Sequence, residues 1–188
     1  MKKRLLIVGA GGHGKVVADI AMKMSLWESI AFLDDNDSLG EVLGLKVIDK
    51  ATEATKYVRD SDLFVAIGND TIRERTQREL ESAGAELPVL IHPHAVIAQD
   101  VELGVGSVVM AGVVINSCTR IGRGCIINTG ATIDHDNIIE DFVHVSPGVN
   151  TGGSVRIGTG TWIGLGSKIV NNVNITGGCT VGAGAVVV

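Results

Sequence analysis

Between Ile121 and Val145 the chain reads I-G-R-G-C-I-I-N-T-G-A-T-I-D-H-D-N-I-I-E-D-F-V-H-V, and a branched aliphatic returns at every sixth position: Ile121, Ile127, Ile133, Ile139 and Val145. Followed outward, the ladder begins with Ile91, Ile97, Leu103, Val109 and Ile115 and continues through Ile157, Ile163, Ile169, Ile175, Val181 and Val187. Thr151 alone breaks it. Four positions after most rungs stands a small or β-branched residue, as at Ala95, Ser107, Val113, Thr119, Cys125, Ala131, Val155, Thr161, Ser167, Cys179 and Ala185. Neither a helix nor an ordinary strand has this period. The pattern predicts a hexapeptide β-helix, in which each repeat is one short strand and a corner, and three repeats close a triangular coil. A rung and the residue four on both point inward when a corner intervenes, while glycines such as Gly104, Gly106, Gly122, Gly124, Gly158 and Gly160 take the turns. Coils rise by one strand spacing, roughly 4.8 Å, so residues eighteen apart become vertical neighbours.

This run resembles the left-handed β-helix acyltransferases. The left hand is carried by the resemblance, since parallel crossovers otherwise favour the right. The expected architecture is an α/β half-Rossmann domain over residues 1–90, followed by an all-β left-handed parallel β-helix over residues 91–188. A net charge of −5 without a basic cluster argues against nucleic-acid and membrane-surface partners. High glycine (25 residues) and low aromatic content (3%) suit a narrow prism filled by aliphatic layers. Met1 to Arg4 leads straight into a short apolar strand, so no signal peptide is expected. Cys118, Cys125 and Cys179 have neither metal-ligand spacing nor an even count, which fits a reducing cytoplasm and calls for no metal. The last hexapeptide lacks the capping segment that a solenoid end usually carries.

In the amino-terminal half, Arg4 to Val8 predicts a strand, Gly9-Ala10-Gly11-Gly12-His13-Gly14 a turn, and Val16, Val17, Ile20, Ala21 and Met24 a helix. Bare backbone at a helix amino-terminus is an anion site. Further strands are expected at Ile30 to Leu33, ending in Asp34-Asp35, at Leu45 to Ile48, and at Leu63 to Ile67, ending at Gly68. A charged surface helix should run from Thr71 to Ala83, and Leu87 to Ile91 should lead into the repeats. About ninety residues hold one half of a dinucleotide fold and not two, which favours a mononucleotide part over a whole NAD. In an open α/β sheet, Gly11, Gly12, His13, Asp34, Asp35 and Gly68 would gather beyond the strand ends.

Three features interrupt the repeats: Asp134-His135-Asp136, Val143-His144-Val145 and Thr151-Gly152-Gly153. His135 falls at a corner flanked by acids, and Gly153 lies eighteen positions on, directly above it. A base beside a spare backbone N–H is what acyl transfer requires: one takes a proton from the nucleophile, the other steadies the oxyanion. His92 and His94, beside Pro93, read as structural.

The turn G-A-G-G-H-G, the acids after F-L, the A-I-G-N strand end and the I-D-H-D corner followed nine residues later by H-V-S are together similar to the sugar acetyltransferases of the bacillosamine and perosamine pathways. The sialic acid O-acetyltransferases share that architecture. The resemblance covers nearly the whole chain. It implies N-acetylation of the C4 amine of a nucleotide-linked 4-amino-4,6-dideoxy sugar by acetyl-CoA, in a homotrimer with sites between subunits. It implies His135 as base and Asp136 as its carboxylate partner, although better-known members carry Glu there. It also implies His144, Gly153, Leu165 and Ala183 at acetyl-CoA, and Gly11, Gly12, His13, Asp34, Asp35 and Gly68 at the nucleotide sugar. Leu165 and Ala183 share one edge of the prism and His135 and Gly153 another, which independently suits a site between neighbouring prisms. The alternatives are sialic acid O-acetylation, a non-catalytic nucleotide-sugar-binding trimer and, least favoured, an NAD-dependent enzyme.

Overall fold

The aliphatic ladder becomes three stacked parallel sheets in the computed structural model, which describes residues 3–188. Two compact units meet in the sequence between Leu90 and Ile91.

The first unit begins with β1 (Arg4–Val8), whose four apolar residues from Leu5 to Val8 are buried, and continues into α1 (Gly12–Met24). β2 (Ser29–Leu33), β3 (Glu41–Val42), β4 (Leu45–Asp49), a 3₁₀ segment (Ala51–Tyr57), β5 (Asp62–Val65) and α2 (Asp70–Ser82) follow. The sheet order is β3-β4-β2-β1-β5, parallel except for the β3–β4 hairpin. Leaving β3 aside, the parallel strands stand in the order third, second, first, fourth, which is half of a dinucleotide-binding sheet. The order reverses beside β1, so the turn after β1 and the end of β5 flank one crevice.

Two elements here escaped the sequence reading. The β3–β4 hairpin turns on Leu43 (φ 53°) and Gly44 (φ 75°), both left-handed, and a leucine in the first place hides the usual turn signature. The 3₁₀ segment has no long apolar period to reveal it. The strand expected at Leu63 to Ile67 runs instead from Asp62 to Val65, and the stretch leading into the repeats ends in the short strand Leu90–Ile91.

The second unit is a left-handed parallel β-helix. Its strands are two residues long, and each pairs with the strand eighteen residues on: Ile115 with Ile133, Ile133 with Thr151, Thr151 with Ile169. The rungs from Ile115 to Ile169 point inward and are buried, forming one continuous core with the inward residues of the corners. Two edges turn almost entirely on left-handed glycines, Gly112 to Gly184 on one and Gly106 to Gly178 on the other, where Phe142 is the exception. The third edge turns on Cys118, Asp136, Ser154 and Asn172, all left-handed and none of them glycine. That edge carries His135.

Shortening a buried rung should leave a cavity that short strands cannot close. Ile139→Ala is expected to lower stability to urea by about 2–5 kcal/mol, whereas Val96→Ala, at a position 64% exposed, should change it by less than about 0.5 kcal/mol.

Candidate active site

Gly14 packs so tightly that a Cβ there would meet Gly9 O at 2.0 Å, while Gly11 and Gly12 have nothing within 4 Å of theirs. The last glycine of the turn therefore serves packing, and the middle two leave bare backbone open. α1 starts at Gly12 with no side-chain cap and no acid in its first turn, so its leading N–H groups suit an anion. His13 lies in that turn, half-buried.

Asp34 braces this turn. Its Oδ2 accepts the Ala10 N–H at 2.7 Å and its Oδ1 the Asn36 N–H at 2.9 Å. Asp35 Oδ1 accepts from the backbone N–H and hydroxyl of Thr52. Gly68 is exposed, and its carbonyl accepts from the buried Arg73 guanidinium at 2.9 Å, while Asn69 caps α2 through the Ile72 N–H. Beside these lies a cavity of about 320 Å³ whose polar lining includes Asp35, Thr52, Thr55, Arg75, Thr76 and Glu79. Thr52 and Arg75 were not singled out from the sequence. One stands on the unread 3₁₀ segment, and the other reads as one more charge on a surface helix.

In the β-helix, His135 Nδ1 and Asp136 Oδ2 are 2.6 Å apart on the exposed third edge. The left-handed backbone of Asp136 (φ 57°) lets this shorter acid reach the imidazole directly. Asp134 holds the corner from the other side, its Oδ1 accepting from the His135 N–H and from Asn116 Nδ2, each at 2.9 Å. Nδ1 faces a carboxylate, so the neutral ring carries its proton there and presents a lone pair at Nε2. Among the described residues no protein group bonds Nε2. Gly153 is buried against the ring, where a Cβ would lie 2.5 Å from His135 Cε1. An open groove of about 430 Å³ beside Asp136 is lined by Asp100, Glu102, Cys118, Arg120 and Ile138.

His144 stands on another face, half-buried and 3.2 Å from Asn128 Nδ2 at its own Nε2. The Thr129 N–H bonds Asn128 Oδ1, so the amide NH₂ faces the imidazole and Nε2 accepts. Trp162 stacks on His144, with centroids 6.4 Å apart and planes at 22°, and anchors its own Nε1 to Ser146 Oγ. Asn128 and Trp162 were also missed, although Trp162 lies eighteen residues after His144 and the repeat alone would have paired them. Leu165 and Ala183 are exposed on a glycine edge, linked by the Gly184 N–H to Leu165 O bond. Within one chain the fold thus joins His135, Asp136 and Gly153 on one edge and Leu165 with Ala183 on a different one.

Residues 4–80 match the family described as PglD N-terminal domain. GDP-perosamine N-acetyltransferase of Escherichia coli O157:H7 is 31% identical over 177 residues, covering 89% of this chain and 78% of that protein. The acetyltransferase domain of PglB from Neisseria gonorrhoeae FA1090 superimposes with a TM-score of 0.96 at 40% identity, over 100% of this chain and 92% of that one. PerB from Caulobacter crescentus, solved in complex with CoA and GDP-perosamine, gives a TM-score of 0.92 at 36% identity, over 98% of this chain and 88% of that one.

The hydrogen bond that Nδ1–H donates to Asp136, then the charge of Asp134, raises the His135 pKa above the ordinary 6.5. The folded state therefore favours imidazolium. Its contribution to stability is present below the ordinary histidine range and fades as pH rises through the folded value. An NMR titration of the His135 ring should give a midpoint above about 6.5, and Asp136→Asn should move it down. A midpoint unmoved by that substitution would remove Asp136 as the partner.

Proposed function

The chain belongs to the hexapeptide-repeat sugar acetyltransferases that include the perosamine and bacillosamine enzymes, and from that membership we propose that it transfers acetyl from acetyl-CoA to the C4 amine of a nucleotide-linked 4-amino-4,6-dideoxy sugar. The observation that carries the reading is His135, its Nδ1 held by Asp136 and its Nε2 unbonded beside Gly153.

An ammonium has no lone pair, so its extra proton must leave to solvent before attack. The neutral amine nitrogen then bonds to the thioester carbonyl carbon, His135 Nε2 accepts the second proton that this nitrogen sheds, and the Asp136 carboxylate steadies the resulting imidazolium. The Gly153 N–H faces the oxygen on which charge develops. As the C–S bond breaks, His135 returns the proton to the departing sulfur. Nothing need be stored on the protein. Cys118 Sγ sits 3.2 Å from Asp100 Oδ2, and that hydrogen bond, with the acid's charge, pushes the thiol pKa up and so disfavours the thiolate. Cys125 is buried, its Sγ 3.0 Å from Glu140 O. A cysteine route is therefore disfavoured.

Acetyl-CoA would lie along Leu165 and Ala183, a small apolar edge that suits a pantetheine arm, with His144 oriented by Asn128. The diphosphate of the sugar nucleotide would meet Gly11, Gly12, His13 and the first turn of α1, near Gly68. Asp35, with Thr52 and Arg75, would hold the nucleoside, and Asp34 would act through the turn it braces. Because the His135 edge and the Leu165 edge lie apart in one prism, the complete site would form between copies in a closed ring of three. Free cysteines suit a cytoplasmic setting, and no helix among the described residues is long and apolar enough to cross a membrane.

Thiol release from acetyl-CoA, measured against UDP- and GDP-linked 4-amino-4,6-dideoxy sugars and free sialic acid, tests the reaction. Turnover confined to one nucleotide-linked amine is expected; turnover with sialic acid alone would overturn N-acetylation. His135→Ala should lower kcat by about 10² or more while the melting curve stays in place. Light scattering should give a mass near three times the 19.6 kDa chain, and a monomer would sink the shared site.

A further inference from the structure

We propose that Asn137 is a positioning residue that holds, from inside the prism, both the peptide of His135 and the Gly153 N–H. The inference rests on the acetyl-transfer reading above and extends it to a side chain that touches neither substrate.

Asn137 is fully buried. Its Nδ2 lies 2.7 Å from Asp134 O, 3.2 Å from His135 O and 2.9 Å from Gly152 O. All three neighbours are carbonyl oxygens, so the NH₂ end must face them. Two of these contacts bear on the reaction. His135 O belongs to the residue that carries the base. Gly152 O belongs to the peptide whose N–H is that of Gly153. In a planar trans peptide the N–H points opposite to the C=O, so drawing the carbonyl inward turns the Gly153 N–H outward. Hydrogen bonding at the carbonyl also polarises that N–H and strengthens it as a donor.

A bland reading is available, because other corners use a similar device. Ser107, Thr119, Thr161 and Ser167 each donate a hydroxyl to the carbonyl fifteen residues on, at 2.7–3.1 Å. Ser167 also reaches the carbonyl three residues back. A hydroxyl is therefore enough to hold a corner. None of the four bonds the carbonyl two residues back, as Asn137 does at His135 at 3.2 Å; the thiols of Cys125 and Cys179 come only to 3.7 and 3.9 Å of theirs. The amide also leaves its Oδ1 buried and unbonded among the described residues, a penalty that serine or threonine would avoid. At this corner the amide is the poorer structural choice, and what it adds is control of the two peptides next to the chemistry.

The comparison supplies the test. Asn137→Thr copies Thr119 in the coil below, and Asn137→Ser copies Ser107 and Ser167, so either keeps the ordinary corner bond. Both variants should melt close to the unmodified protein and keep KM for sugar nucleotide and acetyl-CoA within about threefold, while kcat falls by about tenfold or more. The His135 NMR midpoint, measured without substrate, should drop as its bond to Asp136 loosens. The charged or titratable groups around that ring are Asp134 and Asp136 beside it, Cys118 with Arg120 one coil below and Asp100 with Glu102 two coils below; Ser154 and Asn172 above do not titrate in this range. A kcat within about twofold of the unmodified protein, or one that falls only in proportion to folded protein lost, overturns the proposal. Should the unmodified protein turn over no sugar in the panel, the acetyl-transfer reading fails by itself. The midpoint then decides Asn137: a drop sustains its hold on the His135 peptide, and an unmoved midpoint overturns it.

Discussion

Each coil of the β-helix rests on the one below through a column of branched aliphatics, and this vertical contact sets nearly everything else. A strand of two residues has too few ladder bonds to persist alone; the stack persists because rungs such as Ile127, Val145 and Ile163 bury against their neighbours. Burying a side chain of that kind contributes about 1.5–3 kcal/mol. The same contact dictates register. A residue inserted between rungs would move every later rung off the core, so the spacing of eighteen is held throughout and the edges remain straight.

Straight edges are what make a site possible here. Once the register is locked, a residue at a corner has a known neighbour above and below, and side chains distant in sequence become fixed partners. The His135 ring packs against Gly153 because only a glycine leaves room for it. The edge that carries it differs chemically from the other two, which turn on glycine almost throughout. Holding Cys118, Asp136, Ser154 and Asn172 in left-handed backbone is unfavourable relative to glycine, yet at Asp136 that conformation delivers the carboxylate to Nδ1. The interior shows the same trade. Thr151 replaces a rung and leaves its Oγ1 buried without a partner among the described residues, and Asn137 leaves its Oδ1 likewise. Departures from the best packing collect within a coil of the base, where local rules are most often broken for function.

The amino-terminal unit follows a different logic with a related outcome. Its glycines divide the labour: Gly14 permits close packing of α1, while Gly11 and Gly12 keep backbone bare. Asp34 accepts a backbone N–H at each carboxylate oxygen and so braces the turn beside which the bare glycines lie.

Read without coordinates, the chain determined its fold class, the half-sheet, the β-helix and the corner that holds His135 and Asp136, because a period of six and a strand, glycine turn and helix are local patterns that few folds satisfy. The family likeness came from the same residues. The sequence missed the Leu43-Gly44 hairpin and the 3₁₀ segment, and with them the cavity walled by Thr52 and Arg75, since short irregular elements leave no period. It also passed over Asn128 and Trp162 beside His144, and Asn137 beneath His135. Only the tertiary structure decided that Asp136 touches the imidazole, that Asp34 braces a turn and that one amide reaches three carbonyls. Those are matters of side-chain direction and left-handed backbone, which depend on what each coil meets above and below it and not on residue order alone.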